Sequence, residues 1–235
     1  MKDNIAESYN LVYANENEPT KEIRIKGFPR HRNEALVYLA SSLPGSRILE
    51  IGCGNGSVLY TLRNKFKELH GIELSFIRKG KAELALKGLN AKIIQADISS
   101  ELGYEDGYFD LIIWADVIEH VADLWKAMDN IKRITAEGGF LITTTPNIAK
   151  VKARIRLLLG RFPSTSGSEE GFGIREHEMF DGGHLHYFTF SMLEKLYFKY
   201  GFKPIKTIGF GRFGGLHNIY PSLLSPNIGI VGQKI

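Results

Sequence analysis

At 235 residues, 43% apolar and 24% charged, the chain has the size and composition of one globular domain with a sizeable core. No stretch approaches the roughly 20 apolar residues of a spanning helix. Met1–Asn10 carries Asp3 and Glu7 rather than an apolar signal region, and the single cysteine, Cys53, excludes an intramolecular disulfide or a multi-cysteine zinc site. A cytoplasmic location is therefore expected, and the net charge of +4 is too mild to make nucleic acid the expected partner.

Residues 1–30 are polar and are read as an N-terminal cap segment. His31–Ser42 has helical periodicity through Ala35, Leu36, Leu39 and Ala40, stopped by Pro44-Gly45. Strands and helices then alternate: strand Arg47–Ile51, helix Ser57–Lys65, strand Glu68–Glu73, a Ser75-capped helix to Lys87, strand Ala91–Gln95, strand Phe109–Trp114, helix Ala122–Ile134 and strand Phe140–Thr145. Five strands with helical crossovers imply a parallel sheet covered on both faces. The pattern breaks over 146–188, where a basic helix-like run precedes a glycine- and serine-rich loop, Ser164–Gly173; this stretch is read as an inserted lid. Ser191–Tyr200 is helical again. Lys203–Ile208 and Ile228–Lys234 can form an antiparallel pair at a sheet edge. The whole is one α/β domain, a Rossmann-like, doubly wound seven-stranded sheet, mostly parallel with the last strand antiparallel.

The densest signal is Ile48-Leu49-Glu50-Ile51-Gly52-Cys53-Gly54-Asn55-Gly56-Ser57-Val58, a buried strand running through a glycine loop into a helix. Glycines at alternate positions remove Cβ atoms where a ligand would press on the backbone. A dinucleotide loop, G-x-G-x-x-G, would place its third glycine at position 57, which is Ser57. Glu50, two residues before the first glycine, would also repel a pyrophosphate. An acidic strand end beside bare amides suits a cationic or zwitterionic nucleoside, and S-adenosylmethionine fits. Glu73 ends the second strand, where an acid can accept both ribose hydroxyls. Asp97 ends the third and can accept from an adenine amino group, with the Ile98 amide donating to a ring nitrogen.

Glu50-Ile51-Gly52-Cys53-Gly54-Asn55-Gly56, Gly71-Ile72-Glu73, Ala96-Asp97 and Phe109-Asp110-Leu111-Ile112 resemble, in order and spacing, the motifs of class I S-adenosylmethionine-dependent methyltransferases over roughly residues 35–145. Asp116-Val117-Ile118-Glu119-His120-Val121 and Gly138–Thr143 are similar to the small-molecule branch that includes ubiquinone-type O-methyltransferases. Arg156–Phe162 and Gly183–Thr189 resemble methyltransferases of bacterial cell-surface glycan pathways. The resemblance implies that Glu50, Gly52, Gly54 and Gly56 hold the methionine moiety. It further assigns Glu73 to the ribose, Asp97 and Ile98 to adenine, and Ala115 and Asp116 to the methyl-donor end, with Leu74 also cofactor-binding and S-adenosylhomocysteine as product. Tyr9 and Tyr13 are placed to close over the cofactor.

Catalysis needs an aligned acceptor and, for a hydroxyl, a base. Glu119, His120 and the distant His184 are the candidates, with His186 beside them. Three readings stay open: a histidine base, a divalent ion held by Asp116, Glu119, His120 and a later histidine as in metal-assisted RNA 2′-O-methyltransferases, or a structural role. The absence of an Asn/Asp-Pro-Pro-Tyr/Phe sequence argues against exocyclic base amines, and Cys53 lacks the preceding proline of a cytosine-C5 nucleophile. A small-molecule or saccharide oxygen is the expected acceptor, with nitrogen or carbon as alternatives; a nicotinamide oxidoreductase, a binding module without turnover and an RNA-binding methyltransferase are the rivals. Trp114 and Trp125 are read as core, and Phe162, Phe172, Phe180, Tyr187 and Phe188 as flanking the lid. Five bases and no acid between Lys150 and Arg161 mark either a solvated face or a surface for an anionic substrate or a lipid headgroup.

Overall fold

A computed structural model describes residues 10–11, 19–167 and 179–235; Tyr9, Tyr13 and Phe172, and the lid loop from residue 168, lie outside the described residues. Seven strands form one sheet in the order β3-β2-β1-β4-β5-β7-β6. They are β1 (Arg47–Ile51), β2 (Glu68–Glu73), β3 (Ala91–Gln95), β4 (Phe109–Ala115), β5 (Thr135–Pro146), β6 (Phe202–Phe210) and β7 (Asn227–Lys234). The first five pair in parallel, while β7 runs antiparallel to both β5 and β6. The late pair does sit at the sheet edge, with β7 inside and β6 outermost.

Helices cover both faces. On one side lie α1 (Arg32–Ser41), α2 (Ser57–Leu62) and α3 (Phe76–Ala85), whose Leu36, Leu59 and Ala82 join Ile48, Leu111 and Ile142 in one core. On the other, α4 (Leu124–Ile134) and α6 (Phe190–Lys199) pack Met128, Ile131, Leu193 and Tyr197 against Leu49, Ile112 and Leu141. Strands buried on both faces explain the near-continuous apolar runs of β1 and β4. Each fully buried side chain there, such as Trp114 or Phe109, contributes roughly 1.5–3 kcal/mol. Among the described residues no helix is long and apolar enough to cross a membrane.

Local chemistry sets the helix ends. Asp123 Oδ1 accepts from the Lys126 amide (3.0 Å), so α4 begins at Leu124 rather than Ala122, and Leu124, Ala127, Met128, Ile131 and Ile134 form its buried stripe. α2 ends at Leu62, short of Lys65, because the Lys65 amide turns back to the Leu62 carbonyl (2.9 Å). β5 is longer than its sequence pattern, reaching back to Thr135 across a register shift opposite Phe109 and Leu111 that absorbs the Gly138-Gly139 turn. Trp114 is core, but Trp125 is not: it is 54% exposed, stacked on Tyr200 at 6.5 Å with the Lys199 ammonium 4.1 Å above its ring. Its position faces outward between the buried Leu124 and Ala127, a placement that aromatic character alone does not reveal.

After β5 the chain forms α5 (Val151–Leu158), attached to the body by one buried residue, Ala153. The short α7 (Pro221–Leu224) precedes β7. Both lie at the rim where β5 ends.

Candidate active site

A cavity of about 420 Å3 opens above the carboxyl ends of β1, β2, β3 and β4, a volume that suits a nucleoside-sized ligand. Its floor is the β1–α2 loop. Gly52, Gly54 and Gly56 all have positive φ (73°, 55° and 78°), conformations that side chains resist. The space above them is already used by protein. A Cβ on Gly52 would strike Val117, one on Gly54 would meet the Arg78 guanidinium at 3.4 Å, and one on Gly56 would meet Ala82 of α3 at 3.3 Å. Gly52 and Gly54 line the cavity, whereas Gly56 does not; it lets α2 pack against α3.

The loop amides are not bare. Gly52 and Cys53 donate to the Ile72 carbonyl (2.7 and 3.1 Å), Gly56 donates to the Cys53 carbonyl (2.9 Å), and Gly54 donates to Glu73 Oε2 (2.8 Å). The loop therefore offers shape rather than an anion cradle. Beside it on the cavity wall lies Glu50, 4% exposed, whose Oε2 has no hydrogen-bond partner among the described residues. Burial, with Glu73 adding repulsion against the opposing pull of Arg32, pushes its carboxyl up to about 8. A buried acid with an idle oxygen is a socket for a cationic group, which would restore its charge. Cys53 packs over Gly71, and burial pushes its thiol well above the usual range, so it is not a nucleophile.

Glu73 is fixed by two amides, Gly54 on Oε2 and Ser75 on Oε1 (2.9 Å), which leaves a carboxylate's remaining lone pairs for a diol. Leu74, Asp97 and Ile98 share the same wall; Asp97 Oδ1 accepts from the Ser99 amide and hydroxyl (2.8 and 2.7 Å), which fixes its turn. Ala115 and Asp116 stand at the end of β4. Asp116 has φ 48°, a strained value for a non-glycine residue, and is held by Thr144 Oγ1 (2.8 Å) and by Arg32 at 3.7 Å. The sequence reading missed Arg32 and Arg78, which also line the cavity. A readable sign existed: both occupy the first turn of a helix, where the dipole disfavours a base. The N-terminal segment also contributes. Pro19, Lys21 and Ile23 line the cavity, and Thr20 Oγ1 donates to the Asn55 carbonyl (2.7 Å).

Glu119, His120 and His184 meet, each offering one ligand atom within 4.8 Å of the others; only His120 reaches the cavity. Glu119 is buried, accepts from Thr145 Oγ1 (3.2 Å), and is pushed well up by burial and by Asp116. A carbonyl only accepts, so His120 donates Nδ1–H to the Gly183 carbonyl (3.1 Å) and carries its lone pair on Nε2. Asp181 is buried and accepts from Ser164, Thr165, Ser166 and Tyr187, which hold its carboxyl well below the usual range despite burial. Thr165 gives its hydroxyl proton to Asp181 Oδ2 (2.9 Å), so the 2.6 Å contact with His184 Nδ1 is a donation from the imidazole. His184 then also presents Nε2 as an acceptor. Burial lowers both histidines, His184 to about 4, so both are neutral at physiological pH. His186 donates Nε2–H to the Val121 carbonyl (2.8 Å), which ties the later loop to the body.

This sheet order, with a glycine loop after β1 and acids ending β1, β2 and β3, defines a class I S-adenosylmethionine-dependent methyltransferase. Residues 25–207 match the family described as a methyltransferase domain, and the chain belongs to that family. It is similar to the ubiquinone biosynthesis O-methyltransferase of Paraburkholderia phymatum, at 28% identity over 120 residues, covering 50% of this chain and 51% of the relative. The match thus spans about half the length of that curated relative. Among solved structures, a SAM-dependent methyltransferase from Methanosarcina mazei aligns with a TM-score of 0.61 at 24% identity, covering 84% of this chain and 97% of the other. The N-methyltransferase NodS of Bradyrhizobium japonicum, in complex with S-adenosyl-L-homocysteine, aligns at 0.59 and 19% identity, over 86% and 85% of the two chains. These two likenesses concern the fold.

Proposed function

We propose that the chain transfers a methyl group from S-adenosylmethionine to an oxygen of a small-molecule or saccharide acceptor. The observation that carries the reading is the buried oxygen of Glu50 in the cavity wall, which has no hydrogen-bond partner among the described residues. The ligand brings an electrophilic methyl group on a cationic sulfur and an ammonium that such an acid would hold. In this reading Glu50 receives the cationic amino-acid end, Arg32 and Arg78 face its carboxylate, Glu73 accepts from the ribose hydroxyls, and Asp97 with Ile98 orients the adenine. His120, neutral and with Nε2 as acceptor, takes the proton of an acceptor hydroxyl. The test is titration calorimetry with S-adenosylmethionine, S-adenosylhomocysteine and NADH, followed by an acceptor screen starting with hydroxylated sugars and quinols. Binding of NADH, or of none of the three by folded protein, would end this reading.

A second reading is metal assistance, favoured by the convergence of Glu119, His120 and His184. Two neutral imidazoles and one carboxylate form a mixed N/O set that suits a divalent ion. Repeating the titration with magnesium, manganese and zinc tests it; no heat with any of them leaves the histidine-base reading alone.

A further inference from the structure

α5 is amphipathic the wrong way round. Its single buried side chain is Ala153, while Val151, Ile155 and Leu158, spaced i, i+4, i+7, form a stripe on the opposite side, facing solvent. Ile155 is 52% exposed and Leu158 86%, and the stripe continues into Leu159 at 64%. Lys152 and Arg154 flank it, both exposed, and Arg161 follows. Asn147, at the root of α5, donates its side-chain amide to the Ser222 and Ser225 carbonyls (3.2 and 2.9 Å), which fixes α7 alongside. The segment leading into α7 exposes a second apolar set: Phe213, Leu216, Ile219 and Tyr220. Neither segment carries an acid. The sequence has no Asp or Glu over 138–168 and none over 195–235. Both lie at the rim where β5 ends, on the carboxyl side of the parallel strands where the cavity opens.

We propose that this rim docks the protein on an anionic lipid bilayer surface, with the α5 stripe in the acyl boundary and Lys152, Arg154 and Arg161 on the headgroups. The charge decides between occupants. An outward apolar stripe alone would accept any apolar partner, but one framed by Lys152, Arg154 and Arg161, beside a second apolar segment that carries Arg212 and no acid, matches a surface that is apolar below and anionic above. An RNA would be met by the bases but would leave the apolar stripe beside them in water. This surface does not depend on the chemistry of the cavity.

The experiment is flotation of the full chain with phosphatidylcholine vesicles, with and without phosphatidylglycerol, alongside a structured RNA at the same ionic strength. The expected result is capture only by the anionic vesicles, weakened by added salt. I155E/L158E, at exposed positions the fold does not use, reduces capture by about tenfold or more, while L84E, on the exposed face of α3 away from this rim, leaves it unchanged. Unchanged melting temperatures show that each variant is folded. No capture by anionic vesicles overturns the proposal, as does equal loss in L84E; retention of RNA without vesicle binding overturns it in favour of a nucleic-acid surface. Binding of S-adenosylmethionine by I155E/L158E at wild-type affinity separates this result from the fate of the methyltransferase reading.

Discussion

Replacing Glu50 with Gln tests whether the buried acid is kept for a ligand at the expense of the empty protein. The carboxyl ionises near 4.5 in the unfolded chain and at about 8 in the folded one. Below the unfolded value both states are protonated, and the acid is harmless. As pH rises between the two values the unfolded chain loses its proton first, so folding is progressively opposed; above the folded value the penalty is constant. Near neutral pH it amounts to about 3 kcal/mol. Gln has the same shape and never ionises. E50Q should therefore match wild type in chemical denaturation at about pH 5 and exceed it by roughly 2–4 kcal/mol at about pH 8. The same change should weaken S-adenosylmethionine at least tenfold, since an uncharged amide cannot pair with a cation. Wild-type binding near neutral pH should release close to one proton, read from the dependence of calorimetric enthalpy on buffer. Equal stability curves for the two proteins across this range would refute the argument, and so would tight binding by E50Q.

Gly52→Ala combines a positive φ with a clash against Val117 and should destabilise by about 3 kcal/mol; V117A in the same chain should recover part of this in a double-mutant cycle, and full additivity would show that the contact is irrelevant. His120→Ala should lower kcat by about 100-fold or more with little change in S-adenosylmethionine affinity. Because burial lowers His120, wild-type kcat at saturating S-adenosylmethionine, where Glu50 is already ionised by its ligand, should stay flat as pH falls through about 6.5 and decline only below it; a decline centred above that value would remove His120 as the base. Asp181→Asn places an amide among donors that now point at a carboxylate, and should cost about 2–4 kcal/mol by denaturation. An unchanged melting curve would mean the network is idle.

The parallel half of the fold was legible because β1 and β4 are buried on both faces and so read as apolar runs, and because Ser75 and Gly88 bracket α3 in plain view. Glu50 stood out because an acid in such a run has no structural reason to be there. What was not legible depends on spatial neighbours. Gly56 packs against Ala82, 26 positions away in sequence. The loop amides go to Ile72 and Glu73, which no local pattern indicates. The pairing of Thr165 with His184 and Asp181 joins segments whose composition looks like loop. Helical periodicity in 150–158 was visible; that its apolar stripe points outward was not, because periodicity names a face without saying where it points.

The position of β7 has a consequence for synthesis. β6 leaves the translating ribosome before β7 does, yet it meets the rest of the sheet only through β7. Until Asn227–Lys234 emerges, β5 and β6 each present an unpaired edge of equal polarity with a gap one strand wide between them. The nascent domain therefore carries two open edges that invite pairing with another chain. Its last strand closes both at once, so maturation of the sheet is a single late event rather than gradual growth from one side.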